Sequence, residues 1–136
     1  MGFTDKFKVQ HNEILAVAKE LTQQIGAKAE PATLRKLLSN LAGKLSFHLA
    51  MEDDALYPRL IDGKDAKAKE MARRFKDEMG GLGGVFTAYN AKWQLSAIKA
   101  DPAGFAEESQ AVFSALKKRI QRENTELYPL AETTTA

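Results

Sequence analysis

The sequence predicts an all-α fold, an up-down-up-down antiparallel four-helix bundle, and three observations predict it. Apolar residues recur in steps of three and four along four long segments. Proline, glycine and acidic residues punctuate the segment boundaries. Alternating strand patterns are absent, and joining loops of about six residues or fewer make successive helices antiparallel neighbours.

The first segment runs from Thr4, read as its N-cap, to Gly26, with Phe7, His11, Ile14, Ala18, Leu21 and Ile25 on one stripe. The second opens at Pro31, continues through Leu34, Leu38, Leu41, Leu45, His48, Glu52 and Leu56, and closes near Pro58. The third spans Lys64 to Lys99 through Phe75, Met79, Leu82, Phe86, Tyr89 and Trp93. Asp101 and Pro102 start the fourth, which reaches Pro129 through Phe105, Val112, Leu116, Arg119, Glu123 and Leu127. The tail from Glu132 to Ala136 is expected to fray.

Within the third segment, four glycines fall in the five positions 80–84, each costing up to about 1 kcal/mol in a helix interior. Two readings stay open for this run. One is close contact with a neighbouring helix, the other a kink or bulge beside a functional layer.

A chain of 136 residues is expected to form one domain, residues 1–136 with a core over about 4–131. The absence of Cys excludes disulfides, thiolate metal sites and thiol catalysis, and fits a cytoplasmic location. No apolar run approaches the roughly 20 residues of a membrane span, so no membrane partner is expected. With 20 basic and 18 acidic residues interleaved, the net charge of +2 gives no footprint for nucleic acid.

One twelve-residue pattern occurs twice. FHLAMEDDALYP covers 47–58 and KRIQRENTELYP covers 118–129, aligning Glu52 with Glu123, Tyr57-Pro58 with Tyr128-Pro129, and His48 with Arg119. Thus His48 and Glu52 lie four apart on one helix face, and Arg119 and Glu123 echo them. His11, His48, Glu52, Arg119 and Glu123 all stand where the stripes call for apolar residues. Buried charges must be paired or bound to a metal.

At 1.5 Å per residue His11 lies roughly 21 Å, and His48 roughly 25 Å, from the loop that joins their helices. Arg119 and Glu123 fall at a comparable height, so the five side chains share one or two adjacent layers. Imidazole with carboxylate suits Fe, Mn or Zn. An ion-pair network, with Arg119 between Glu52 and Glu123, is the alternative.

His11, the His48-x-x-x-Glu52 pair, its Arg119-x-x-x-Glu123 echo, the Leu-Tyr-Pro after each motif and the Glu78-Met79 dipeptide together resemble the hemerythrin-like (HHE cation-binding) family over residues 5–131. That resemblance implies a bundle holding a non-haem di-iron centre. His11 and His48 match ligands of the first iron, and Glu52 and Glu123 match the bridging carboxylates. The histidines of the second iron correspond to Met79 and Arg119, which are not iron ligands.

Two outcomes follow. A mononuclear site survives on His11, His48, Glu52 and Glu123, with one iron, zinc or manganese per chain, and binds or senses O2, NO, iron or redox state. Alternatively no metal binds, Arg119 replaces the second cation by neutralising both glutamates, and the bundle serves a protein partner. Phe86, Tyr89 and Trp93 are the candidate surface for such a partner, although their helical spacing is that of core residues. An enzyme is the least favoured reading, since no nucleophile-base pair can be built. Tyr57 and Tyr128 are placed at the bundle rim, a hydrogen bond to a ligand being the alternative.

Overall fold

The computed structural model describes residues 2–133, apart from the side chains of residues 79, 80 and 133. Its elements are α1 (Asp5–Gly26), α2 (Pro31–Met51), a π turn (Glu52–Leu56), α3 (Tyr57–Ile61), α4 (Ala66–Lys92), α5 (Leu95–Ala100), α6 (Pro102–Arg122), a second π turn (Glu123–Leu127) and α7 (Tyr128–Thr133). No strand occurs among the described residues. α1 packs on α2 and α6, and α4 packs on the same two helices. That cycle of neighbours is an up-down-up-down four-helix bundle.

The helix starts follow local chemistry. Asp65 accepts from the backbone N–H groups of Lys67 and Ala68, and Asp101 from that of Gly104, each filling orphan donors of a first turn. Pro31 and Pro102 open their helices where no N–H is needed. Thr4 is different: its hydroxyl caps nothing, and its backbone N–H donates to Glu132 Oε1 at 2.6 Å. The expected fraying from Glu132 is corrected by the same bond, which ties the C-terminal turn to the N-terminus; residues 134–136 lie outside the described residues.

The third segment departs from the sequence reading. Instead of one helix to Lys99, α4 ends at Lys92, Trp93 and Gln94 leave helical geometry, and the short α5 packs on α2 and α6 with Ile98 buried. Arg35 stabilises the break by donating to the carbonyls of Asn90 and Trp93, both at 2.9 Å. Trp93 turns into the core, where its indole N–H meets Glu108. Phe86, Tyr89 and Trp93 are all buried, so none of them forms a partner surface.

At the described glycines of the run, Gly81, Gly83 and Gly84, neither a bulge nor an unusually close helix contact is found. α4 continues through the run without a π or 3₁₀ turn. A Cβ added at Gly81 or Gly84 would meet nothing within 4 Å, and one at Gly83 only ordinary contact with Leu49 at 3.5 Å. The structure offers no account of why glycine stands there. The bulges lie instead in the repeated motifs, at Glu52–Leu56 and Glu123–Leu127.

The core is in two parts. Leu38, Leu41, Phe86, Phe105 and Leu116 belong to one cluster, towards the loops at Gly26–Pro31 and Trp93–Pro102. Phe7, Leu56, Phe75, Leu127 and Tyr128 belong to the other. Along α1, His11 separates Phe7 of one cluster from Ile14 of the other; along α2 and the π turn that follows it, His48 and Glu52 separate Leu45 from Leu56. The polar residues thus form a layer between two apolar plugs, a dry setting in which electrostatic interactions are strong.

Candidate metal centre

Four of the marked side chains converge. His11 comes from α1, His48 from α2, and Glu52 and Glu123 from the first residue of each π turn. His11, Glu52 and Glu123 are 0% exposed and His48 1%. One donor atom from each lies within 4.8 Å of those of the other three.

His11 Nε2 is 3.0 Å from His48 Nε2 and 2.9 Å from Glu123 Oε1. His48 Nε2 is 3.3 Å from Glu52 Oε1 and 3.8 Å from Glu123 Oε1. Oε1 of Glu52 and Oε2 of Glu123 are buried with no hydrogen-bond partner.

The other imidazole nitrogens decide the tautomers. His11 Nδ1 donates to Asn124 Oδ1 at 2.8 Å, and His48 Nδ1 donates to Gln10 Oε1 at 2.7 Å. Amide oxygens only accept, so we assign the proton of each neutral ring to Nδ1 and a lone pair to each Nε2. Two nitrogen lone pairs and two carboxylates then face one point. Acceptors do not bind acceptors, so this arrangement needs a cation at its centre, a proton or a metal ion. The residues therefore fit the donor set of a metal site, and the unpartnered oxygens of Glu52 and Glu123 are of the type that could complete it.

The titration behaviour agrees. Burial works against a charge on His48, but the hydrogen bonds and charges of Glu123 and Glu52 outweigh it and raise its pKa to about 9. Burial raises Glu52, and the charge of Glu123 adds to it. Burial also acts to raise Glu123, yet hydrogen bonds from His11 and His48 hold it below the usual carboxylate range.

Arg119 does not lie between the glutamates. Its guanidinium meets Glu78 of α4, donates to the carbonyl of Phe75 at 2.7 Å and stacks over the Phe75 ring at 4.2 Å. A planar fork on a long stem reaches past the site to the next helix, where Arg122 also pairs with Glu78 at 3.0 Å. Burial opposes ionisation of Glu78, but the bond and charge of Arg119 keep its pKa low. Met79 is on α4 beside Glu78, and its side chain lies outside the described residues.

The tyrosines are corrected from rim to interior. Tyr57 is 2% and Tyr128 0% exposed. In each π turn the tyrosine N–H donates to the glutamate carbonyl five residues back. The widened turn therefore brings the tyrosine back over its glutamate, where a regular α-helix would have rotated it away. Proline just after the tyrosine explains the widening, because its ring clashes with the carbonyl four residues earlier and it has no N–H. Leu-Tyr-Pro was the signal available in the sequence.

Tyr128 Oη donates to Glu52 Oε2 at 2.8 Å, lies 3.0 Å from His11 Nε2, and its ring stacks on His11 with centroids 5.2 Å apart. Tyr128→Phe should cost about 1–3 kcal/mol in chemical denaturation by leaving Glu52 Oε2 unpaired; an unchanged midpoint would show that this bond contributes nothing. Gln10 and Asn124, which orient the imidazoles, were not singled out in the sequence. Each simply adjoins a marked residue, with no periodicity to distinguish it.

The family model for the hemerythrin HHE cation-binding domain matches residues 2–131. No curated protein and no solved structure matches the chain significantly. With nearly the whole chain matched, and a buried His/Glu cluster of metal-binding type at its centre, the chain belongs to the hemerythrin HHE cation-binding domain family.

Proposed function

We propose that the chain binds a single non-haem metal ion on His11, His48, Glu52 and Glu123, with iron the first candidate and zinc or manganese the alternatives. Its role on this reading is to bind or sense O2, NO or redox state rather than to turn over a substrate. The observation that carries the reading is the meeting of two Nε2 lone pairs, 3.0 Å apart, with two carboxylates in a buried layer. One ion rather than two is supported by the count of histidines, since the chain has 2 and both face the same point. Arg119, which would have to give way to a second ion, is engaged by Glu78 and Phe75.

An iron held here would supply an open position for a diatomic ligand. The chain supplies the rest. Gln10 and Asn124 fix the imidazole orientation and raise ligand basicity, as partners of ligating histidines do. Tyr128 holds one oxygen of Glu52, turning the other towards the histidines. The two apolar clusters exclude water on either side.

A second reading, a metal-free interaction module, has one observation in its favour. A proton on His48, held by Glu52 and Glu123, itself provides a cation at the centre. Anaerobic Fe(II) followed by NO separates the two. The metal reading expects a new absorption band saturating at about one NO per chain. No band, and unchanged melting in chelator, would leave the metal-free module.

A further inference from the structure

The far end of the bundle holds a cavity that the metal layer does not use. Where α1 ends and α2 and α6 begin, a hollow of about 590 Å³ opens to solvent. It lies roughly 21 Å from His11, measured along α1 to Ile25 in its wall. The buried side chains of Leu34, Ile98 and Phe105 form its floor. The break at Trp93 explains why it exists. α5 leaves the line of α4 and packs on α2 and α6, and the alanines at 29, 103 and 106 that line the gap are too small to fill it.

Protein interiors leave few voids, and an apolar hollow with a polar rim marks a ligand groove. This one falls within the range of small-molecule sites, about 300–1,000 Å³. Its lining residues are apolar with one exception, the exposed Lys28 at the rim. The backbone beside Lys28 is already engaged, since the N–H groups of Ala27, Lys28 and Ala29 bond to the carbonyls of Gln23, Ile25 and Gln24. Lys28 itself stands at φ 57°, in the left-handed region where the end of a helix ordinarily carries glycine. Glycine would hold this turn without strain, so the lysine is explained by its ammonium rather than by its backbone.

We propose that this cavity binds one molecule of a small carboxylic acid with an apolar body, its carboxylate paired with Lys28. The lining selects each part of that ligand. Leu34, Ile98 and Phe105 offer an apolar body a surface away from water, which is the main source of affinity. Lys28 is the one charged group among the lining residues, so an anionic head is attracted and a cationic one repelled. A small anion without an apolar body would gain a single exposed ion pair, too little to hold it. The inference does not depend on whether the bundle holds a metal.

Calorimetric titration of the full chain with octanoate and with 1-octanol, both in chelator, tests it. Octanoate should bind at one saturable site per chain with a Kd below about 1 mM, and more tightly than 1-octanol. Lys28→Gly relieves the strained turn, so it should melt at or above the parent. It should nevertheless weaken octanoate about 2- to 5-fold and leave 1-octanol unchanged. Ala106→Trp fills the hollow and should remove both ligands. The proposal falls if the parent shows no saturable octanoate binding, or if 1-octanol binds as tightly as the acid. It also falls if octanoate binding survives Ala106→Trp, because the acid then sits elsewhere. Should Ala106→Trp fail to fold, Lys28→Gly decides: equal losses for acid and alcohol, or none for either, overturn the pairing with Lys28.

Discussion

His48→Ala should abolish stoichiometric iron uptake, and Gln10→Ala and Asn124→Ala, made singly, should weaken it about 10- to 100-fold. The first substitution removes one of two imidazole nitrogens from a four-residue set. The other two touch no ligand atom. They remove the amide oxygens that accept from Nδ1 at 2.7 and 2.8 Å, and with them the reason each ring presents its Nε2 lone pair inward. A graded series is the signature of a site built for a metal: ligand first, orienting residue second. Titration of Fe(II) with a competing chelator would measure it. Equal, weak binding in all four proteins would mean that the iron sits elsewhere.

The metal-free protein should lose stability as pH rises from about 6.5 to 9. His48 titrates near 6.5 when unfolded and at about 9 when folded, so the folded state binds its proton more tightly. The stabilisation is fully present below the unfolded pKa and is lost as pH climbs through the folded one. The span corresponds to on the order of 3 kcal/mol at most, because coupling to Glu52 shares the proton.

Urea denaturation in chelator at several pH values would show the decline, and a flat profile would contradict a protonated His48. Iron should change the profile. A metal ion needs the Nε2 lone pair that the proton occupies, so uptake releases the proton and the loaded protein should hold its stability across the same range.

Much of this was legible in the sequence, for reasons that differ residue by residue. The four long helices follow from apolar spacing, and the capping residues Asp101 and Pro102 from their chemistry. His11, His48, Glu52 and Glu123 stood out because charged or polar side chains on apolar stripes demand partners. Arg119 stood out for the same reason, but its partner did not. Stripe position fixes where a Cα faces, whereas a long guanidinium chooses among all neighbours within its reach, here Glu78 and the Phe75 carbonyl.

The tyrosines were misplaced because a period of 3.6 was carried through turns whose hydrogen bonds run five residues back. The break at Trp93 was hidden in the same way. It is held by Arg35 from another helix, a tertiary contact that local pattern does not encode.

The most direct measurement is metal content per chain after anaerobic Fe(II) loading and desalting, with Glu52→Ala as the control. The account predicts about one iron per parent chain and none retained by the variant. Parent chains that retain no iron, or that hold as much as Glu52→Ala, would contradict a metal centre on these four residues.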